Sequence, residues 1–482
     1  MNIAPVISSS QTGVFLRICL ALAVIAFLLT GCQMQRALLK PPLEDQGEAY
    51  FYLRPFPHEA APLKFSLNQL SAVKDDGGQY PLSLSFADFS RDKVNRQRFL
   101  AAGQLPPGNY VALMVGVGGA TLQGEEGEER LLVPEKPVRI DCRFNVTRKK
   151  ATFVSLAFNY DRSVTNNYSF SPVFSVTVPG KPLTGLVGYV SNTAANTLTV
   201  FDKQYREVVG VIATGSGPKG MAFDQQRRIA YIALSGEDAV EVMDITLGEV
   251  ISRIRLRTAD APREIALTPD GKTLLTVNPG SNTVSVVDTL AYLEVTRLQV
   301  GNNPTSILMD PTGSKAYVFN SFSQNISVID VASRSVAATA PAEPGSARGQ
   351  FGRNGDVLYT IYDMSPYLRV IGAFPSLALV QRYLVGMGMQ SIKLDTQTNL
   401  LYTGKKFSSG IEIYEPTTFI RIETVKTDGS VVYMSIDGEQ NNLFAVNGDK
   451  KSVQVINLVS REIIAEFDVG DEPFWISLMG ER

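Results

Sequence analysis

Charged and aromatic side chains that could bind a ligand recur through the C-terminal two thirds of the chain. They stand near the start of short apolar segments, at intervals of about 42 residues or about twice that. The set comprises Lys219, Arg263, Glu264, Arg348, Gln390, Tyr433, Phe474 and Trp475. Three of these side chains are cations that could attract an anionic group, and the aromatic ones could add apolar contact and stacking. They predict a site for an acidic ligand or partner, unless they only cover the ends of strands.

Other reactive side chains are scarce. The only histidine is His58, and of the three cysteines Cys19 and Cys32 lie near the start, which leaves Cys142 alone in the body. One histidine excludes most histidine-rich metal sites, and the sequence has no Cys-x-x-Cys-His motif for a c-type haem. The formal net charge of −2 argues against a general nucleic-acid binder. We therefore expect no metal, no cofactor and no nucleic acid as the main partner.

The elements that would position this set form a repeat. Alternating apolar segments typical of β-strands, most of them closed by an acid or an amide, end at intervals of 42 to 44 residues. The endpoints are Asp202, Asp244, Asp288, Asp330, Gly372, Glu415 and Asn457. Four strands of five or six residues and their turns fill about 42 residues, which is typical of one propeller blade. The sequence thus predicts an all-β chain with a seven-bladed β-propeller over residues 183–482.

The two ends of the repeat predict how the ring closes. Innermost strands are expected to begin near Pro218, Pro262, Pro304, Ser346, Met389, Val431 and Pro473. The repeat starts with a second strand at Tyr189 and finishes with an innermost strand from Pro473, so the C-terminal strand should complete the first blade. That closure leaves no unpaired strand edge. The candidate binding residues would then surround one opening of the central channel.

Three runs in this segment share a motif. They are Tyr189-Val190-Ser191-Asn192 with residues 196–202, Asn278 with residues 282–288 and 300–304, and Tyr317-Val318-Phe319-Asn320 with residues 325–330. These runs resemble the YVTN-type family of β-propeller repeats. The resemblance covers about 300 residues and implies the propeller fold, with a binding or scaffolding role. The Asn and Asp residues of the motif are expected to build turns and strand pairs.

An enzyme is the alternative that the resemblance leaves open, because a related group of propellers hydrolyses lactones. A lactonase-like hydrolase needs a base and an electrophile that converge near the channel. The propeller segment has no histidine, so a carboxylate would have to act, with or without a bound cation. Glu264 is the only acid among the first residues of the expected inner strands. One carboxylate is little support, so we expect no catalytic residue.

The start of the chain carries a targeting pattern. Residues 13–31 are mostly apolar and end in Leu29-Thr30-Gly31-Cys32, which resembles the bacterial lipobox. That likeness implies a lipoprotein signal peptide at 1–31, acyl chains on Cys32 and a lipidated tether at 32–45; an uncleaved transmembrane anchor is the alternative. Gln33, where Asp would favour retention in the inner membrane, implies the outer membrane. The body would lie in the periplasm or at the cell surface.

Residues 46–180 predict a separate domain. Short alternating runs broken by turn residues are typical of an antiparallel β-sandwich. The polar stretch 88–102 could hold one short helix. Cys142 is expected in the core and His58 in a surface loop.

Two repeats depart from the pattern. Residues 332–355 of the fourth are rich in Ala, Gly, Pro and Ser, and Gly372 replaces the terminal acid of the fifth. Either sequence drift or a partner surface explains this irregularity. The leading hypothesis for the whole chain is a membrane-anchored lipoprotein that binds or scaffolds without catalysis. The sandwich would serve as a spacer or a second binding module.

Overall fold

The computed structural model describes residues 40, 43–125, 127–180, 183–345 and 347–481. Its N-terminal strands are β1 (Gly47–Leu53), β2 (Leu63–Lys74), β3 (Gln79–Pro81), β4 (Ser83–Leu84), β5 (Asp88–Ser90), β6 (Arg98–Leu105), β7 (Gly108–Gly124), β8 (Gly127–Arg130), β9 (Val138–Val146), β10 (Ala151–Phe158), β11 (Val164–Thr165), β12 (Ser169–Phe170) and β13 (Phe174–Thr177). Helical segments are short: α1 (Tyr160–Ser163) and two 3₁₀ turns, His58–Ala60 and Thr184–Leu186. No helix in the described residues is long and apolar enough to cross a bilayer.

The N-terminal strands form two packed sheets. One has the order β13-β10-β1-β6-β4, and the other has the order β3-β2-β7-β8, with β5 also paired to β2 and β9 to β7. Every residue of β1 is buried, because alternate side chains pack in opposite directions. Phe51 and Leu53 join the core between the two sheets, whereas Tyr50 and Tyr52 pack against the propeller. This strand therefore links the sandwich core to the second domain.

Two expectations for this domain need correction. β1 pairs with β10 in parallel, from Glu48 opposite Ala151 to Leu53 opposite Leu156, so the sandwich is mixed rather than purely antiparallel. The stretch 88–102 forms no helix. It contains β5, a turn and the start of β6, because its polar side chains bind the propeller instead of covering a helix.

The C-terminal strands are β14 (Val187–Asn192), β15 (Thr197–Asp202), β16 (Glu207–Ala213), β17 (Pro218–Asp224), β18 (Ile229–Leu234), β19 (Ala239–Asp244), β20 (Glu249–Arg255), β21 (Ile265–Leu267), β22 (Thr273–Asn278), β23 (Thr283–Asp288), β24 (Leu293–Gln299), β25 (Pro304–Met309), β26 (Lys315–Asn320), β27 (Asn325–Asp330), β28 (Ser335–Pro341), β29 (Ala347–Phe351), β30 (Val357–Tyr362), β31 (Tyr367–Gly372), β32 (Leu379–Leu384), β33 (Met389–Asp395), β34 (Leu400–Lys405), β35 (Ile411–Tyr414), β36 (Arg421–Val425), β37 (Val431–Ile436), β38 (Asn442–Asn447), β39 (Ser452–Asn457), β40 (Ile463–Asp468) and β41 (Pro473–Leu478). In the described residues they form seven four-stranded antiparallel sheets, which confirms the predicted seven-bladed propeller.

The ring closes as predicted. Blade 1 has the order β16-β15-β14-β41, and blades 2 to 7 follow in chain order from β17–β20 to β37–β40. β41 pairs antiparallel with β14, from Gly188 opposite Leu478 to Asn192 opposite Pro473. The C-terminal strand therefore completes the first blade and leaves no open edge next to the channel.

Most inner strands begin where the sequence predicts. The expected start at Ser346 lies outside the described residues, and β29 begins at Ala347. Blade 3 is different, because β21 begins at Ile265 and not at Pro262. The connection before it is held in a loop by the buried Asp260, which binds Arg297 at 2.7 Å. The regular strand consequently starts three residues later, although Arg263 and Glu264 already hydrogen-bond to Val277 of β22.

The Asn residues of the repeat motif have a structural role, as expected. The side-chain amide of Asn278, at the end of β22, donates to Thr283 at 3.1 Å and to Ser285 at 2.8 Å on the next strand. The corresponding Asn192 makes the same bonds in blade 1. Asn282 occupies the turn between these strands at φ 58°, a left-handed conformation that Asn tolerates. The motif thus fixes the turns between second and third strands.

The sandwich packs on the outer edges of blades 1 and 7, and we call this contact the seam. The buried side chain of Gln97 donates to the Val208 carbonyl at 3.0 Å and accepts from the Val208 N–H at 2.6 Å, both on β16. The backbone carbonyl of Gln97 accepts from Asp468 N at 3.1 Å, at the end of β40. Asp468 in turn accepts from Arg96 at 3.1 Å and from Arg98 at 2.7 Å. One segment of the sandwich therefore bonds to the two blades that meet where the ring closes.

Candidate binding site at the channel mouth

The inner strands all begin at one end of the channel, and we call this opening the mouth. Second strands end there and third strands start there, so the turns between them surround the same opening. The mouth contains a cavity of about 470 Å³. Five of the predicted binding residues line it: Arg263, Glu264, Arg348, Gln390 and Phe474. Spacing at the blade period therefore brings these side chains together in the structure.

Arg348 spans the channel. Its guanidinium lies 2.8 Å from a carboxylate oxygen of Glu264, two blades away, and the Glu264 side chain is only 1% exposed. On the other side it lies over the rings of Tyr433 at 4.8 Å and Trp475 at 5.5 Å. The Arg348 side chain therefore closes the channel below the mouth.

The aromatic residues pack mainly on one another and on cations. The rings of Tyr433 and Trp475 stack with centroids 3.9 Å apart, and the Trp475 indole N–H donates to Ser477 at 3.0 Å. Burial raises the pKa of Tyr433 well above its ordinary value, so its hydroxyl stays protonated. Neither Tyr433 nor Trp475 lines the cavity. Their faces support Arg348, and the expected stacking on a ligand is left to Phe474.

Two further cations share the ring of Phe474. Lys219 lies 5.5 Å and Arg263 lies 5.3 Å from the ring centroid. Burial, together with the Arg263 charge, lowers the pKa of Lys219 to about 8, while Glu472 acts in the opposite direction. Burial also lowers the pKa of Arg263. Within the described residues neither side chain has an ion pair, and the Arg263 Nε has no hydrogen-bond partner.

Glycine brings Lys219 and Arg263 together. The Gly220 N–H donates to the Arg263 carbonyl at 2.9 Å, across the gap between blades 2 and 3. A Cβ at position 220 would lie 2.8 Å from the Glu264 Cα, closer than a side chain allows. Only glycine lets the two inner strands approach this closely.

The remaining predicted residue, Gln390, is tied to the neighbouring blade. Its side-chain amide donates to the Val431 carbonyl at 3.1 Å. Asp363, Lys406 and Glu472 also line the cavity, although the sequence did not point to them. They lie in turns and connections, where no periodic pattern singles out a side chain. Their presence makes the rim of the mouth mixed in charge.

The geometry of Glu264 suits an ion pair better than acid–base chemistry. Both carboxylate oxygens are buried, and neither accepts a well-directed hydrogen bond within the described residues. A guanidinium nitrogen of Arg348 lies within ion-pair distance of one of these oxygens. No group of three or more His, Cys, Asp or Glu side chains in the described ranges is placed to hold a metal ion.

Other reactive side chains lie away from the mouth. Cys142 is buried in the sandwich core, where burial raises the pKa of its thiol to about 11. His58 is exposed in a 3₁₀ turn of the sandwich. Cys32 lies outside the described residues.

Comparisons with known proteins agree with the fold. The model of a family described as "Lactonase, 7-bladed beta-propeller" matches residues 189–344, which is less than half of the chain. A functionally unknown protein from Desulfotomaculum acetoxidans is similar in structure, with a TM-score of 0.54, 10% identity and coverage of 60% of this chain and 98% of that one. The hydrazine synthase of Kuenenia stuttgartiensis has a TM-score of 0.50, 18% identity and coverage of 57% and 93%. No curated protein sequence matches. The chain is a seven-bladed β-propeller protein with an N-terminal β-sandwich.

Proposed function

We propose that this protein is a non-catalytic binding protein whose propeller mouth receives an anionic group of a ligand or partner protein. Lys219 and Arg263 carry the proposal, because they are half-buried cations over one aromatic ring, and the Arg263 Nε has no hydrogen-bond partner in the described residues. An anion in the mouth cavity, which Arg263 lines and Lys219 does not, would offset the repulsion between the two cations and offer the Arg263 Nε a hydrogen-bond acceptor. The Phe474 ring beneath them offers an apolar surface to the rest of the ligand.

A pulldown from detergent-solubilised membranes tests this proposal. The double variant Lys219→Met with Arg263→Met removes both cations without leaving a carboxylate unpaired, so folding should be retained. A matched control, Lys272→Met with Arg334→Met, removes the same charge from exposed positions away from the mouth. We expect the mouth variant to lose the partner and the control to keep it. Equal recovery by both would contradict the proposal.

A lactonase-like hydrolase is the second candidate, because the family model that matches residues 189–344 carries the word lactonase in its description. Under this hypothesis Glu264 would act as the base. Its ion pair with Arg348 opposes that role, because a base must be free to accept a proton from the substrate or from water. A lactone panel with added divalent cations separates the two functions. Turnover by the wild type that is lost in Glu264→Gln, with a melting temperature showing that the variant is still folded, would establish the enzyme and refute the non-catalytic assignment.

We also propose that acyl chains on Cys32 anchor the protein to the outer membrane. The support is the sequence ending at Gly31-Cys32 and the Gln33 that follows. Each acyl chain contributes about 0.8 kcal/mol per buried methylene, so two or more chains hold a protein stably on a membrane. Mass spectrometry of the native protein should show an acylated Cys32 at the N-terminus. An unmodified Cys32, or a Cys32→Ser variant that is still processed and acylated, would refute the anchor.

A further inference from the structure

Four large apolar side chains are exposed on one sector of the mouth face. Their exposed fractions are 76% for Phe322, 65% for Met364, 58% for Met387 and 91% for Phe407. We call these four residues the apolar rim. Exposed apolar side chains that cluster on one surface often mark a contact with a membrane or another protein.

The topology places the apolar rim on the mouth face. Phe322, Met364 and Phe407 lie in the turns between the second and third strands of blades 4, 5 and 6. Asp363, which precedes Met364, and Lys406, which precedes Phe407, both line the mouth cavity. Met387 lies in the connection that enters β33, beside Gly388, whose carbonyl accepts from Lys406 N at 2.7 Å. The rim therefore follows three consecutive blades.

The first described residue, Lys40, also lies at the mouth face. The carbonyl of Lys40 accepts a hydrogen bond from the Asn196 side chain, and the Lys40 ammonium pairs with Glu48. Asn196 lies in the turn between the second and third strands of blade 1, so this contact is also at the mouth face. Eight peptide units separate Cys32 from Lys40. Fully extended, they reach at most about 28 Å.

From these observations we infer that the mouth face rests on a lipid bilayer through the apolar rim. This inference uses the proposed acylation of Cys32 to orient the molecule. A short tether holds blade 1 near the bilayer, and blades 4 and 5 lie across the ring from blade 1. Contacts at the tether and at the rim would therefore support the mouth face at two opposite points. The anionic group received by the mouth would then come from the bilayer side of the protein.

The face away from the mouth offers a matched control. Leu290 and Val459 are 67% and 80% exposed, in turns that follow the third strands of blades 3 and 7. Third strands run away from the mouth, so these turns lie at the opposite end of the ring. Tyr205, Leu247 and Ile420 are also exposed in turns of this face, so exposed apolar side chains occur at both ends of the ring. The tether is what would turn the rim, and not these side chains, toward the bilayer.

Vesicle sedimentation tests the contact without the anchor. Residues 33–482 retain every described residue and lack Cys32, so binding cannot come from acyl chains. The probe is a vesicle of phosphatidylethanolamine with phosphatidylglycerol. We expect Phe322→Ser with Phe407→Ser to lower the partition coefficient about ten-fold or more. Leu290→Ser with Val459→Ser should stay within about two-fold of the wild type, because surface changes elsewhere have little effect.

Three kinds of result bear on the membrane contact. A wild-type body that does not sediment with vesicles, or an equal loss in both double variants, would overturn the membrane contact. A rim variant that binds vesicles normally but loses a protein in the membrane pulldown would also overturn it and assign the rim to a protein partner. Failure of Cys32 acylation is measured separately by mass spectrometry and leaves the vesicle result unaffected. The melting temperature of each variant is measured to check that it is folded.

Discussion

The seam and the mouth treat buried polar groups in opposite ways. At the seam the Gln97 side chain has both a donor and an acceptor partner, and the Asp468 carboxylate accepts bonds from two arginines. At the mouth Lys219 and Arg263 are half-buried against Phe474, and the neighbouring carboxylates of Glu264, Asp363 and Glu472 do not offset the effect of burial on their pKa values. Paired groups fix the relative position of the parts they join, whereas unpaired charges carry a cost that a ligand can remove. We therefore expect changes at the seam to lower stability and changes at the mouth to lower binding.

The largest expected effect concerns ring closure, at the inner strand of the blade whose outer strand forms part of the seam. Deletion of residues 473–482 removes β41 and exposes the β14 edge of blade 1. Burial of Ile476 and Leu478 is lost, at about 1.5–3 kcal/mol for each side chain. We expect aggregation or a large fall in melting temperature. A truncated protein that melts within a few degrees of the wild type would show that β41 is not needed for closure.

A smaller effect is expected for Gln97→Ala. The change leaves the buried N–H and carbonyl of Val208 without partners, which costs about 1–3 kcal/mol for each group. Chemical denaturation should therefore show a loss of about 2–6 kcal/mol in unfolding free energy. The control Gln381→Ala alters an exposed glutamine on the outer strand β32 of blade 5. Similar small losses for both variants would mean that the seam does not stabilise the ring.

At the mouth we expect the affinity for an anion, rather than the stability of the protein, to change with pH. Lys219 has a pKa lowered to about 8, so it is charged below that pH and loses its charge as the pH rises through it. Anion affinity should fall about three- to ten-fold between pH 7 and 9, since one cation near the ligand is neutralised. Lys219→Arg should remove this step and keep the affinity. A step of the same size in the Lys219→Arg protein would assign the effect to another group.

The fold could be predicted because it is encoded in a period. A 42- to 44-residue spacing of strand ends, and a final strand that has the pattern of an innermost one, determine the number of blades and the closure. Residues at that spacing also converged at the mouth. Contacts that do not follow the repeat period could not be predicted in this way. The Arg348–Glu264 pair crosses the channel, and Asp363 and Lys406 reach the cavity from turns.

The seam was not predictable from the sequence. The polar stretch that includes Gln97 has no strand pattern, so a short helix was a reasonable expectation. Its partners, Val208 and Asp468, lie 111 and 371 residues further along the chain. Only the folded arrangement shows that these residues meet. The same limit explains why the crossing of Arg348 over the channel was missed.

Arg348 illustrates how the structure changes the choice of mutation. Arg348→Glu would place a second carboxylate beside the buried Glu264 and remove its ion-pair partner. Loss of one member of a buried ion pair costs about 3–5 kcal/mol, so lost binding in that variant would be confused with unfolding. Lys219 and Arg263 are better targets, because their removal leaves no carboxylate unpaired.

The most direct test of the central claim is a fluorescence titration at the mouth. Trp475 is the only tryptophan of the chain, and it lies directly beneath Arg348. The probe is a short polyglutamate peptide, with a neutral polyglutamine peptide of the same length as the control. We expect a saturable change in Trp475 emission that weakens with salt, and an affinity at least about ten-fold lower in the Lys219→Met, Arg263→Met protein. Equal affinity in the variant and the wild type, at low salt and with both proteins folded, would contradict it.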